Sequence, residues 1–234
     1  MRCREKIFLL LFCFSITLHA QQKKVSLINY GIKAGFSSTI YDIQELKIAG
    51  NPINEYNAKS EISLLYTAFT RINLSKHYIQ TEISYNISNY TIFFPTQSWY
   101  LQANSNDLST ISTRIIGFEV PLYYGYHFLK EGPYSMSFFL GPKFKFIATK
   151  FCKYQFDNFD YNSITESIYP VNASIMTGIG INIGRIFFDF SFEYGLHNIS
   201  KCITTTDDQE QISTNEFIFN RRKNMLSFSL GFMF

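Results

Sequence analysis

The chain has 234 residues, is 46% hydrophobic, and carries 21 Lys and Arg against 18 Asp and Glu for a formal net charge of +3. That apolar content excludes a disordered polymer. The length suffices for one domain or one barrel, and so mild a charge, without a basic stripe interleaved with stacking aromatics, argues against a nucleic-acid partner.

Residues 1–20 differ in kind from the rest. Arg2, Arg4 and Lys6 precede the apolar run Ile7 to Phe14, and Ala20 stands before Gln21-Gln22-Lys23-Lys24. This is the layout of a secretory signal peptide, and the apolar run is too short for a spanning helix. The expected domains are therefore a signal peptide over 1–20 and one β domain over 21–234. Two cysteines, Cys152 and Cys202, remain beyond residue 20. An oxidising compartment would permit a disulfide between them, and the sequence leaves that open. No CxxC, HExxH or Cys/His cluster points to a metal, and no cofactor is expected.

After residue 24 the dominant signal is a period of two. Strands are expected over 29–37, 61–71, 78–88, 112–127, 135–147, 173–183 and 186–195. In the third, Ile79, Thr81, Ile83, Tyr85 and Ile87 alternate with Gln80, Glu82, Ser84 and Asn86; in the seventh, Phe188, Phe190, Phe192 and Tyr194 alternate with Asp189, Ser191, Glu193 and Gly195. An eighth strand closes the sequence, with Leu226, Phe228, Leu230, Phe232 and Phe234 on one face. Pro121 and Pro142 fall inside strands, where proline removes a ladder donor. Pro121 is expected near the short-turn rim; Pro142 has no ready place.

The connections alternate in length. Residues 38–60, 89–111, 148–172 and 196–223 read as long polar loops, whereas 72–77, 128–134 and 184–185 are short. Arg221-Arg222-Lys223 reads as the solvated end of the last loop. Eight strands with this asymmetry predict an all-β, eight-stranded antiparallel up-and-down transmembrane β-barrel, with long outward loops and short periplasmic turns. Closure would pair the last strand with the first, because an open edge in lipid leaves backbone groups unpartnered.

On that reading the apolar face meets the outer-membrane bilayer. The other face carries Lys33, Glu61, Arg71, Glu82, Glu119, Lys143, Lys145, Asp189 and Glu193. These would form a charge network in a lumen just wide enough to be filled by side chains. Gly117, Gly141, Gly178, Gly180 and Gly231 would leave room for the long charged groups. Tyr30, Tyr78, Tyr126 and Tyr134 at one end, and Tyr90, Tyr154 and Tyr194 at the other, suit the two water–lipid boundaries. Two alternatives stand beside the filled barrel. Glu119, Asp189 and Glu193 could line a narrow channel, or the apolar face could form the core of a secreted soluble β-barrel binding protein.

Enzyme chemistry finds no constellation: there is no GxSxG, P-loop or dinucleotide fingerprint in context. His77, His127 and His197 sit at turn boundaries or a loop start and read as surface or rim residues. The four long loops are the places for protein partners. Their mix of Tyr, Asn, Ser and Thr suits polar contact, as around Trp99-Tyr100, whereas Phe151, Tyr154, Phe156, Phe159 and Tyr161 of 148–172 would fold over the barrel mouth or touch a partner.

Tyr30-Gly31-Ile32-Lys33-Ala34-Gly35, Phe118-Glu119-Val120-Pro121-Leu122-Tyr123-Tyr124, Phe139-Leu140-Gly141-Pro142 and Asp189-Phe190-Ser191-Phe192-Glu193-Tyr194-Gly195-Leu196, in that order with an aromatic terminus, resemble the PorT-like outer-membrane β-barrel proteins of Bacteroidota. The resemblance covers roughly 25–234. It implies outer-membrane residence, and recognition of the last strand (Phe228, Leu230, Phe232, Phe234) by the barrel assembly machinery. It names no activity; the role expected of such a small filled barrel is structural, adhesive or as a component of a larger assembly.

Overall fold

The computed structural model describes residues 27–48, 50–96, 107–147, 153–157, 163–206, 212–213 and 217–234. The signal-peptide reading, Cys152, the side chains of Cys202 and Tyr154, and the aromatics Trp99, Tyr100, Phe151, Phe159 and Tyr161 lie outside what is described.

Fourteen strands are present among these residues. Eight build a ring: β1 (Ile28–Ile48), β4 (Ile62–Leu74), β5 (His77–Pro95), β6 (Leu108–Glu131), β7 (Tyr134–Ile147), β10 (Val171–Ile183), β11 (Ile186–Gly195) and β14 (Phe217–Met233). Each pairs antiparallel with its neighbour in chain order. The ring is sealed by β1 against β14, in register from Gly31↔Met233 to Ile43↔Arg221 and, past a bulge, to Ile48↔Phe217. The short elements β2 (Asn51–Pro52), β3 (Asn57–Ser60) and β8 (Lys153–Asp157) attach to β1, β5 and β6 at the long-connection end. A separate sheet is made by β9 (Ser163–Ile168), β12 (Ser200–Thr206) and β13 (Ile212–Ser213).

The short turns are tight. Gly132 and Gly184 sit in the left-handed region, at φ 59° and 62°, where a Cβ would clash with the backbone. Gly184 N–H donates to the Pro133 carbonyl at 2.7 Å, tying two turns together at this end.

Side chains alternate across the wall. Outward stand Phe36, Ile83, Phe138, Ile179, Phe190 and Leu230, exposed apolar residues that would be unsupportable in water and that form a continuous belt around the ring. The soluble alternative fails on this point, because its core residues would have to face inward.

The described residues of the segments read as long loops are largely strand. β1 runs on to Ile48, β5 to Pro95, and β6 and β14 begin at Leu108 and Phe217. Here the alternation persists but its polarity reverses. On β5 the inward residues change from Gln80, Glu82, Ser84 and Asn86 to Tyr90, Ile92 and Phe94; on β14, Phe217 and Phe219 face in while Asn220, Arg222 and Asn224 are only partly buried. Leu46, Ile48, Ile53, Ile92, Phe94 and Phe217 pack with their neighbours into an apolar core inside this extension. On β1 the phase is reset by a bulge between Ile43 and Glu45, after which Leu46 and Ile48 point inward.

Both prolines occupy gaps in the ladder. Between Thr81↔Leu122 and Ser84↔Glu119 the β5–β6 pairing skips Val120 and Pro121, and the Thr81 hydroxyl donates to the Pro121 carbonyl at 3.4 Å. Between Pro121↔Lys143 and Tyr124↔Leu140 the β6–β7 pairing skips Gly141 and Pro142. Pro121 is thus mid-strand and inward-facing, not at the rim.

Of the tyrosines assigned to the boundaries, Tyr30, Tyr126, Tyr134 and Tyr194 do face outward, whereas Tyr78 and Tyr90 are buried inside. Phe190 is 53% exposed near the middle of the belt. Phe190→Lys is expected to cost roughly 2–4 kcal/mol in urea unfolding from lipid vesicles, as a midplane cation does. Asn224→Lys, higher on the wall, should stay within about 1 kcal/mol.

Candidate functional site

The lumen holds the chemistry. Its short-turn end is aromatic. The ring of Phe187 occupies the space above Gly231, that of Phe69 the space above Gly31, and that of Tyr78 the space above Gly125, so a Cβ at any of these glycines would collide with the ring. Phe69 and Phe187 meet edge to face with centroids 5.0 Å apart. The Arg71 guanidinium lies 4.4 Å from the Tyr78 ring centroid, within cation–π range, and its Nε donates to Gln80 Oε1 at 2.5 Å. Gly178 likewise accommodates Phe139. Of the five glycines expected to make room for charges, Gly178 and Gly231 make room for rings and Gly141 lies against the backbone of Leu122 and Tyr123. Gly117 beside Lys145 and Gly180 beside Asp189 do border charged side chains.

Above this layer Lys33 Nζ donates to Glu82 Oε1 at 2.7 Å and to Asp189 Oδ2 at 3.0 Å. The same Glu82 oxygen also accepts from Gln80 Nε2 at 2.7 Å and from the Tyr123 hydroxyl at 2.6 Å. β1, β5, β6 and β11 are thereby joined across the lumen.

A second charged layer is centred on Glu119, which is 0% exposed. Its carboxylate pairs with Lys143, stands 3.3 Å from Lys145 Nζ and lies 4.0 Å from Lys223 Nζ. Lys143 also donates to Glu193 Oε2 at 2.6 Å, and the Ser174 hydroxyl donates to Glu193 Oε1 at 2.8 Å. Higher still, Arg221 is 0% exposed. Its Nη2 donates to Glu166 on β9 at 3.0 Å, and its guanidinium carbon lies 3.9 Å from the Phe219 ring centroid. Ile168 of β9 and Ile199 pack with Ile115 and Ile147 beside it, so the small sheet is anchored to the barrel wall.

Of the nine charges assigned to the network, eight face the lumen. Glu61 does not. Between Ser60↔Tyr90 and Leu65↔Asn86, residues 61–64 stand opposite only 87–89, so the chain bulges there and leaves Glu61 exposed. Sequence reasoning misses Arg221, Lys223 and Glu166. Arg221 and Lys223 are not a loop end: they share the inward phase of Met225, Ser227 and Ser229, and counting back in twos from the last strand would find them. Glu166 lies on a strand with no alternation legible in sequence.

The histidines do not assemble a site. His77 bonds the Tyr124 hydroxyl at the rim, His197 is exposed, and His127, read as a rim residue, is buried against the Tyr78 ring at 5.0 Å. Among the described residues no group of three or more His, Cys, Asp or Glu is placed to hold a metal. The terminal strand shows Phe228 and Leu230 exposed on the lipid face, with Phe234 N–H donating to the Tyr30 carbonyl at 2.8 Å.

Sequence comparison matches residues 19–201 to the family described as outer membrane protein beta-barrel domain. The chain belongs to that family. It is an outer-membrane protein. Among solved structures it resembles the outer membrane protein OprG from Pseudomonas aeruginosa, at 11% identity and a TM-score of 0.53, covering 88% of this chain and 95% of that one. A major outer membrane protein from Thermus thermophilus aligns at 10% identity and a TM-score of 0.49, covering 89% and 100%. At such identities the likeness concerns fold alone. No match to a curated protein sequence was found.

The Glu119 layer makes a sharp energetic forecast. Glu119→Gln leaves three buried ammonium groups short of a carboxylate and should destabilise the folded barrel by about 3–5 kcal/mol in urea titration. In the Glu119→Gln/Lys143→Met pair the loss should fall short of the sum of the single losses by at least about 1 kcal/mol.

Proposed function

We propose that this protein is a non-conducting outer-membrane barrel that acts through the part standing above the lipid, in a structural, adhesive or assembly-component role. The reading includes removal of residues 1–20 on export. It also includes insertion by the barrel assembly machinery through the strand bearing Phe228, Leu230, Phe232 and Phe234, and membership of the PorT-like group. It assigns no enzymatic reaction.

The observation that carries it is the filling of the lumen at successive heights. Rings close the short-turn end, two charged layers cross the middle, and the apolar cluster around Ile92, Phe94 and Phe217 closes the top. A narrow channel needs a continuous wet path, and an apolar constriction of this kind excludes ions. With passage blocked, what the barrel offers the cell is its extension, whose outer face is lined by polar groups such as Glu45, Lys47, Asn220 and Arg222. Protein partners are accordingly expected over 38–60, 89–111, 148–172 and 196–223, whose described residues are largely strand.

Two measurements test this. In planar bilayers the purified protein should give no steady ohmic steps, and reproducible unitary conductance would favour the channel reading instead. With Cys152 and Cys202 replaced, a cysteine at Lys47 should react with a membrane-impermeant maleimide on intact cells. One at Ser75 should react only after the outer membrane is opened. The reverse pattern would put the extension on the wrong side of the membrane for a surface role.

A further inference from the structure

The described lumen buries six cationic side chains, Lys33, Arg71, Lys143, Lys145, Arg221 and Lys223, against five carboxylates, Glu82, Glu119, Glu166, Asp189 and Glu193. The imbalance is local. Lower down, Lys33 stands between Glu82 and Asp189, and Arg71 rests on Gln80 and the Tyr78 ring beneath them, so two cations there meet two carboxylates; Arg221 has Glu166. The middle layer sets three lysines against Glu119 and Glu193. A buried ion without a counter-charge costs several kcal/mol, so this layer is one negative charge short.

The shortfall falls on two residues. Lys143 holds both carboxylates. Among the described residues Lys145 Nζ stands 3.3 Å from Glu119 Oε1 and 3.4 Å from Asn86 Oδ1, and Lys223 Nζ has Ser88 Oγ at 3.2 Å with Glu119 Oε1 at 4.0 Å. Both lysines line one cavity of about 20 Å³, whose wall combines the apolar Ile115, Ile147, Ala173 and Ile199 with Asn172, Ser174, Glu193 and His197. A cavity needs about 10–15 Å³ of this measure to hold one water-sized particle, so there is room for one. Glu193 also borders it, but its two oxygens are taken by Lys143 and Ser174. The exposed His197 marks the side on which the cavity meets solvent.

We propose that this cavity binds one small monovalent anion of halide size, held between the ammonium groups of Lys145 and Lys223 and completing the charge balance of the lumen. The site does not depend on what the extension contacts or on whether the barrel conducts.

The test uses the full mature protein folded in detergent, reading the temperature at which the folded band is lost on a heat-modifiability gel. Ionic strength is held constant while gluconate is replaced by chloride. The midpoint should rise saturably, by roughly 3–5 °C once chloride is tenfold above half-saturation. Bromide should act likewise, and crystals grown in bromide should show its anomalous signal between the two lysines. Lys223→Met removes the excess charge. It should fold, lose the chloride response, and in gluconate melt no lower than the unsubstituted protein. Should that variant fail to fold, Lys145→Met and the bromide signal in the unsubstituted protein decide the matter. A midpoint indifferent to chloride, a response unchanged in a folded lysine variant, or a cavity without bromide would overturn the proposal and leave water as its occupant.

Discussion

Hydrocarbon offers a polypeptide no hydrogen-bond partners, and everything distinctive about this chain follows from that constraint. Each backbone N–H and C=O within the bilayer must find its mate in the protein, which a sheet achieves only by closing on itself. The seam between β1 and β14 performs the closure, and it is continuous from Gly31↔Met233 upward through the belt. Closure around eight strands leaves a lumen no wider than its own side chains. The outer face must be apolar, so polar residues that alternate with it are forced inward. Once inside they must satisfy one another, which is why Lys33, Glu82, Gln80 and Tyr123 share one knot of hydrogen bonds instead of four separate ones.

The same rule explains where the wall changes character. Above the belt the solvent outside is water again, and the ordinary preference returns: apolar residues turn in and polar ones turn out. The change needs no new fold. It needs a phase shift of the sequence pattern relative to the pleat, supplied on β1 by the bulge between Ile43 and Glu45. On β5 it needs only a change in which residue type occupies the inward positions, from Asn86 and Ser88 to Tyr90 and Ile92. An eight-stranded outer-membrane barrel below and a water-soluble β core above are built from the same continuous strands.

That reversal also sets what can be read from the sequence. Within the belt, alternation of Phe and Ile with Ser, Gly and charges is strong, and all eight ring strands are visible in it. At the top of the belt the two faces exchange polarity, so a reader tracking apolar positions sees the pattern dissolve and infers a loop. Arg221 and Lys223 are misplaced for this reason: a basic run beside an apparent strand end looks solvated, yet each second residue of that run points inward. Glu61 fails in the opposite sense. Its parity matches Ser63 and Arg71, but a bulge between β3 and β4 takes it out of the wall, and one polar residue at a strand end offers no pattern in which the bulge could be seen. Which partner each charge takes is not legible at all, because Lys33 and Asp189 lie 156 residues apart and meet only through closure.

A lumen filled with charge calls for a reason, since a well-packed apolar interior of equal volume is often as stable or more so. Here an apolar interior would remove the difference between the two faces of every strand. Side chains alternate with period two, so a slip of one residue exchanges the faces. With apolar residues on both sides such a slip would cost little. With Lys33, Glu82, Glu119 and Lys143 on one side, the slip would drive these charges into hydrocarbon, and several kcal/mol per charge would oppose it. The charged layers therefore act on the register as much as on stability, and the pairing of β1 with β14 is fixed by the side chains it encloses.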